Sequence, residues 1–152
     1  MPFRRMAVIA GSLLLVIGVS GPARAGDPEA EASAMQVLDA FMAAFNARDV
    51  DAFEATLNFP HYRIASGGVS VLEKAGTRPD LFARFIDATA GGDRSAWKRR
   101  DIIHSGPSKV HVDTGFIRYR ADGSVLSEFD SLYIVTKQGD RWGIKARSSF
   151  AP

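Results

Sequence analysis

The chain is expected to fold as α+β: a curved antiparallel sheet, a cone or roll, packed by three N-terminal helices and enclosing a cavity. Three observations predict this. Helix-period apolar spacing is confined to the stretch between Ala34 and Gly91. Four long strand-like runs fill residues 97–150. Short turn signals, "SGPS", "ADGS" and "QGD", separate those runs, with Asp122-Gly123 a strong hairpin dipeptide. Helices followed by a meander segregate onto one face of a sheet. Strands of this length must bend, and a bent sheet closed by helices leaves a space at its wide end.

Residues 1–25 are set apart as a signal peptide. Arg4 and Arg5 form a basic start, Met6 to Val19 is an uncharged apolar run short for a membrane span, and Ala23-x-Ala25 supplies the small residues of a cleavage site. An uncleaved anchor is the competing reading. Cleavage implies a periplasmic or secreted protein of 127 residues, enough for one core. Arg4, Arg5 and Arg24 leave with the peptide and no acid does, so the net charge passes from +2 to −1. The basic balance of the whole chain therefore carries no argument for nucleic acid, and no membrane contact is expected after cleavage. The absence of cysteine excludes disulfides, thiolate metal sites and cysteine nucleophiles.

"GDPEAEAS", residues 26–33, is expected as a flexible leader to a domain spanning 34–152. Val37, Leu38, Phe41 and Phe45 then make a helical stripe that ends near "NARD". Asp49 is placed to cap a second, shorter helix carrying Phe53 and Leu57, which Pro60 stops. "HYRIA" (61–65) and "VSVLE" (69–73) read as a hairpin across Ser66-Gly67-Gly68. Thr77 is expected to start a third helix buried through Leu81, Phe82, Phe85 and Ile86, and Gly91-Gly92 to end it. The remaining strands are expected over 97–105, 109–120, 125–137 and 141–150, with Gly115 and Gly143 as candidate bends.

This order of elements resembles the nuclear transport factor two-like, or SnoaL-like, superfamily. The stretches that carry the resemblance are "VLDAFMAAFNARDVDAF", "RIASGGVSV" and "FIRYRADGSVLSEFDSLYIVTKQGDRWGIKARSS", within residues 35–150. The resemblance implies a cone-shaped α+β fold with a cavity, and pairing into a homodimer through the sheet. It does not imply one function, because that cone hosts isomerases, dehydratases, cyclases, hydrolases, transport adaptors and oligomerising modules. Ketosteroid isomerase-like members need an aspartate base near the first hairpin, whereas Leu57 to Leu72 here contain no carboxylate. Dehydratase-like members use a histidine–aspartate pair, of which His61 would be one half. "FIRYR" and the "RSSFAP" end look closer to the association domain of calmodulin-dependent kinases, with its arginine-lined cavity.

His61 and Arg63 leave one face of a strand together, at the expected rim of the cavity. His61 is a candidate general base, its ordinary pKa being about 6.5; the alternative is a histidine bonded to the preceding loop. An inward arginine needs a carboxylate or an anionic ligand, so Arg63 either binds a ligand or pairs with Asp130 or Glu128. Arg118 and Tyr133 are candidates for the opposite wall, a fixed cation and a hydroxyl donor, with a solvated Arg118 as the alternative. Phe41, Phe82 and Trp97 are candidates for the apolar wall. His104, His111 and Asp113 match no familiar metal spacing, and neither a metal nor another cofactor is expected. The leading reading is an exported cone that binds a small, partly apolar molecule without catalytic machinery. The alternatives are a lyase, isomerase or hydrolase using His61 with Tyr62 or Tyr133, and an oligomerising or adaptor module.

Overall fold

The computed structural model describes residues 26–65, 67–89 and 92–151. The expected signal peptide lies outside them. Helices α1 (Pro28–Ala47) and α2 (Val50–Ala55) lead into the hairpin β1 (Leu57–Ala65) and β2 (Gly68–Leu72). Helix α3 (Leu81–Thr89) then precedes the meander β3 (Arg94–Gly106), β4 (Lys109–Tyr119), β5 (Val125–Gln138) and β6 (Arg141–Ser149). The six strands form one curved, unclosed sheet in the order β2-β1-β6-β5-β4-β3. Every pairing is antiparallel except β1 with β6, which run parallel. The expected curved antiparallel sheet is present, with that one parallel pairing within it. β1 enters from a helix on the concave side and takes the free edge of β6, so both strands advance in one direction.

The leader of 26–33 is also corrected, since α1 begins at Pro28. Asp27 accepts from the Ala30 amide, Pro28 occupies the first turn, and Glu29 and Glu31 lie where the helix dipole favours acids. Ser105 of β3 accepts from the Asp27 amide and donates to Glu31, fastening this end to the sheet. Ala30 and Ala34 are buried, their small side chains letting α1 lie close to the strands before Leu38 and Phe41 fill the core. α1 ends at Arg48, in a left-handed conformation at φ 57°, where the guanidinium donates to the Gly92 and Asp93 carbonyls.

Two other boundaries move. β1 starts at Leu57 instead of His61 and passes through a cis Phe59–Pro60 bond. α3 starts at Leu81 instead of Thr77, whose hydroxyl donates back to the Lys74 carbonyl. Register shifts interrupt β3–β4, β4–β5 and β5–β6, the bulges that curve the sheet. Gly115 faces the shift between Trp97 and Arg99. Gly143 is required for closeness instead: a Cβ there would lie 2.6 Å from Asn58 Oδ1. Asn58 is fully buried and donates to the Thr136 carbonyl, knitting β1 to the meander.

Phe41 is the centre of the core, 3% exposed, with its ring against Phe45, Phe53, Trp97 and Tyr133. Phe82 and Phe85 of α3 pack edge-on against Phe45, holding α3 over the wide end of the cone.

Candidate functional site

A cavity of about 260 Å³ lies at that wide end. Its helical wall is apolar: Phe41, Met42 and Phe45 of α1, Phe53 of α2, and Leu81 and Phe85 of α3. Its sheet wall is cationic and polar, with Arg63, Arg118, Tyr133, Arg147 and Ser149, while Arg78 and Arg84 stand at the α3 side. No carboxylate is among the described lining residues.

Strand register explains this grouping. Arg63 on β1 pairs with Arg147 on β6, and Arg147 pairs with Tyr133 on β5, so the three form a row across neighbouring strands. Paired residues project from the same face of a sheet. Arg118, on β4, is 8% exposed, and its guanidinium lies 4.9, 5.6 and 5.1 Å from the ring centres of Phe85, Phe116 and Phe129. The Arg147 guanidinium lies 5.5 Å from the Phe41 ring. Aromatic faces attract guanidinium but accept no conventional hydrogen bond. Nε of Arg118 and Nε of Arg147 are buried and meet no acceptor among the described residues. Arg63 donates to the Ala151 carbonyl at 3.3 Å.

The cations act on one another. Burial, followed by the Arg147 and Arg118 charges, lowers Arg63 to about 10. Burial and then Arg147 likewise lower Arg118 from the usual arginine range. Both remain protonated at neutral pH, in a site where positive charge is crowded.

The structure therefore brings Phe41, Arg63, Arg118 and Tyr133 to one cavity and leaves His61, Phe82 and Trp97 behind its wall. Phe82 is buried against Phe45 and Phe53, and Trp97 supports Phe41 and Tyr133 from below. His61 shares the inward face with Arg63 but is 5% exposed, with Nδ1 3.0 Å from the Ile144 carbonyl. That carbonyl can only accept, so Nδ1 carries the proton. Burial first, then the Arg147 charge, lowers the His61 pKa to about 4. A neutral, enclosed imidazole without a carboxylate partner among the described residues is a structural link between β1 and β6, which corrects its expected place on the cavity wall. Tyr62 points outward and is 39% exposed. The alternative partners of Arg63 are engaged elsewhere, Asp130 by Arg99 and Glu128 by Lys98.

Sequence reasoning passed over Arg147, Arg78, Arg84 and Phe53 as wall residues. Arg147 was legible in principle, because alternation from buried Ile144 across the adjacent irregularity decides its face. That irregularity, a register shift beside Ile134, hid it.

A one-layer cone with helices on its concave side and a cavity at the open end defines the NTF2-like class of α+β proteins. The profile of one such family, NTF2-like protein (DUF6841), matches residues 30–149, and the chain belongs to that family. Solved structures agree on the fold. A protein of unknown function with a cystatin-like fold from Nostoc punctiforme superposes with a TM-score of 0.69 at 14% identity, over 82% of this chain and 92% of that one. An NTF2-like protein from Pseudomonas putida gives 0.65 at 12% identity, over 84% and 90%. A ketosteroid isomerase-like protein from Erwinia carotovora gives 0.55 at 17%, over 80% and 96%. No curated protein matches the chain.

Proposed function

We propose that this protein is exported after loss of residues 1–25, pairs as a homodimer, and binds a small, partly apolar molecule in the cavity of its cone. The observation that carries the binding reading is the division of one cavity into a phenylalanine wall and an arginine wall, a lining suited to an amphipathic guest. Its walls hold cations and hydroxyl donors, and no group among the described ones is suited to take a proton near neutral pH, which favours binding over the lyase, isomerase or hydrolase reading. Pairing is supported by Tyr62, Ile64, Val69 and Val71, exposed together on the β1–β2 hairpin.

Nile red, a neutral apolar dye, tests the cavity. Saturable binding to the wild type and its loss in Met42→Trp, which fills the space from a partly exposed position, support the reading; equal binding to both overturns it. The same sample, recovered from the exported fraction, checks the rest. An intact mass that begins at Gly26 and a two-chain mass in solution support export and pairing, while retained Met1 or a monomer at micromolar concentration overturns the corresponding part.

A further inference from the structure

We propose that the guest of this cavity is a carboxylate: an apolar ring system or chain ending in one anionic group, held by Arg118 and Arg147 with its apolar part against Phe41, Phe45 and Phe53. This rests on the cavity reading above and adds the chemistry of the guest.

Three observations carry it. Arg118 and Arg147 are inward, and their buried Nε donors meet no acceptor in the described protein, although a buried donor left unsatisfied is costly. A planar carboxylate presents two oxygens at the spacing of a guanidinium edge and satisfies such donors as a pair. Register next sets Arg63 and Tyr133 on either side of Arg147, so an anion seated at Arg147 meets a second cation on one flank and a phenol donor on the other. Finally, the cavity is about 260 Å³ and one wall is phenylalanine. That space takes an apolar ring system or chain beside the anion, and burying a monoanion among rings costs less desolvation than burying a phosphate dianion.

The depressed proton affinities of Arg63 and Arg118 agree with this, since a bound anion relieves the repulsion that Arg147 exerts on both. Arg78 and Arg84 on the α3 side extend the positive field outward, which raises the encounter rate of an anion. Arg84 also pairs with exposed Asp80, so its charge is partly offset and its part is steering.

The experiment is displacement of Nile red from the full exported chain by 4-phenylbutyrate, its neutral isostere 4-phenylbutyramide, and inorganic phosphate. The acid is expected to bind at least about tenfold more tightly than the amide, the effect of one charge-assisted hydrogen bond, and phosphate is expected not to compete. Arg147→Met and, as a second variant, Arg118→Met should each erase most of the preference for the acid while melting cooperatively. Equal affinity for acid and amide overturns the carboxylate and leaves the cavity reading standing. Competition by phosphate as strong as that by the acid overturns the carboxylate in favour of a general anion site. Retention of the acid preference in both variants overturns the assignment of these two arginines. Failure of Nile red itself to bind overturns the cavity reading and the inference together.

Discussion

Arginines occupy both faces of the sheet, and the two faces treat them differently. On the outer face Arg99 sits among carboxylates: Nη2 is 2.8 Å from Asp113, Nη1 is 2.9 Å from Asp130, and Nε is 3.7 Å from Asp101. Lys98 meets Glu128 beside it. On the inner face Arg118 and Arg147 lie against phenylalanine rings and form no ion pair with any described residue. The chain has acids enough, with Asp113 and Asp130 one position away on the same strands as Thr114 and Ser131 of the inner face. A shift of one residue would turn them inward. The difference teaches that the positive cavity follows from where the acids are placed, and that Arg118 and Arg147 rest there against aromatic faces.

Removing the aromatic support is the strongest way to break this comparison. Phe41 both fills the core and backs Arg147, so Phe41→Ala should cost about 3–5 kcal/mol, the range for a large-to-small change at a buried ring. Urea unfolding measures it; a loss below about 1 kcal/mol would mean that neighbouring rings close the gap and that Phe41 is not the centre of the core.

The next test uses His61, whose proton affinity is lowered first by burial and then by the Arg147 charge. Its folded pKa of about 4 lies below the unfolded value of 6.5. The unfolded chain therefore binds the proton first as pH falls. The contribution to stability is complete above pH 6.5, declines as pH falls from 6.5 towards 4, and is gone below that. At about 1.4 kcal/mol per tenfold difference in proton affinity the decline is about 3 kcal/mol. His61→Gln should flatten the stability profile between pH 6.5 and 4, as read by denaturant midpoints across that range. An unchanged slope would show that another group carries it.

The smallest effect sharpens the contrast most, because the two faces should respond with opposite sign. Arg99→Met removes a cation from among three aspartates and should destabilise by up to about 1 kcal/mol, the upper end for partly exposed pairs. Arg118→Met removes a cation from among cations, and thermal unfolding at low salt should show no loss or a slight gain. Equal losses at both positions would mean that inner and outer arginines are alike in energy, whatever their neighbours.

Much of the fold was legible because it is written in short-range signals. Asp49 caps α2 through the Ala52 amide, and Asp122-Gly123 and Gln138-Gly139 close the hairpins that end β4 and β5. The early start of α1 was equally local, in Asp27-Pro28 followed by two glutamates, and was outweighed by the polarity of the segment; burial of Ala30 against the sheet is a tertiary effect. The parallel contact of β1 with β6 joins strands far apart in sequence, and no local pattern announces it. The site was legible by half for the same reason. The inward face of "HYRIA" follows from period-two alternation, but whether an inward residue reaches the cavity or stops inside the wall depends on its neighbour across the strand. Arg63 stands beside Arg147, and His61 finds the Ile144 carbonyl first.

The parallel contact also orders events in time. β3, β4, β5 and β6 are joined in succession by tight hairpins, so their pairing needs only small loops. Leu57 and Arg141, bonded where β1 meets β6, lie 84 positions apart, and bringing them together requires closure of a loop that spans more than half of the chain. A meander that forms first and an α1–β1–β2 segment that docks afterwards follow from those loop lengths. Until the docking, Arg118 and Tyr133 are on a bare sheet and Arg63 and Phe41 are elsewhere. The cavity is therefore the last thing the chain makes, and a molecule that fills it acts on the final step of assembly, slowing the undocking of β1 more than it speeds the formation of the meander.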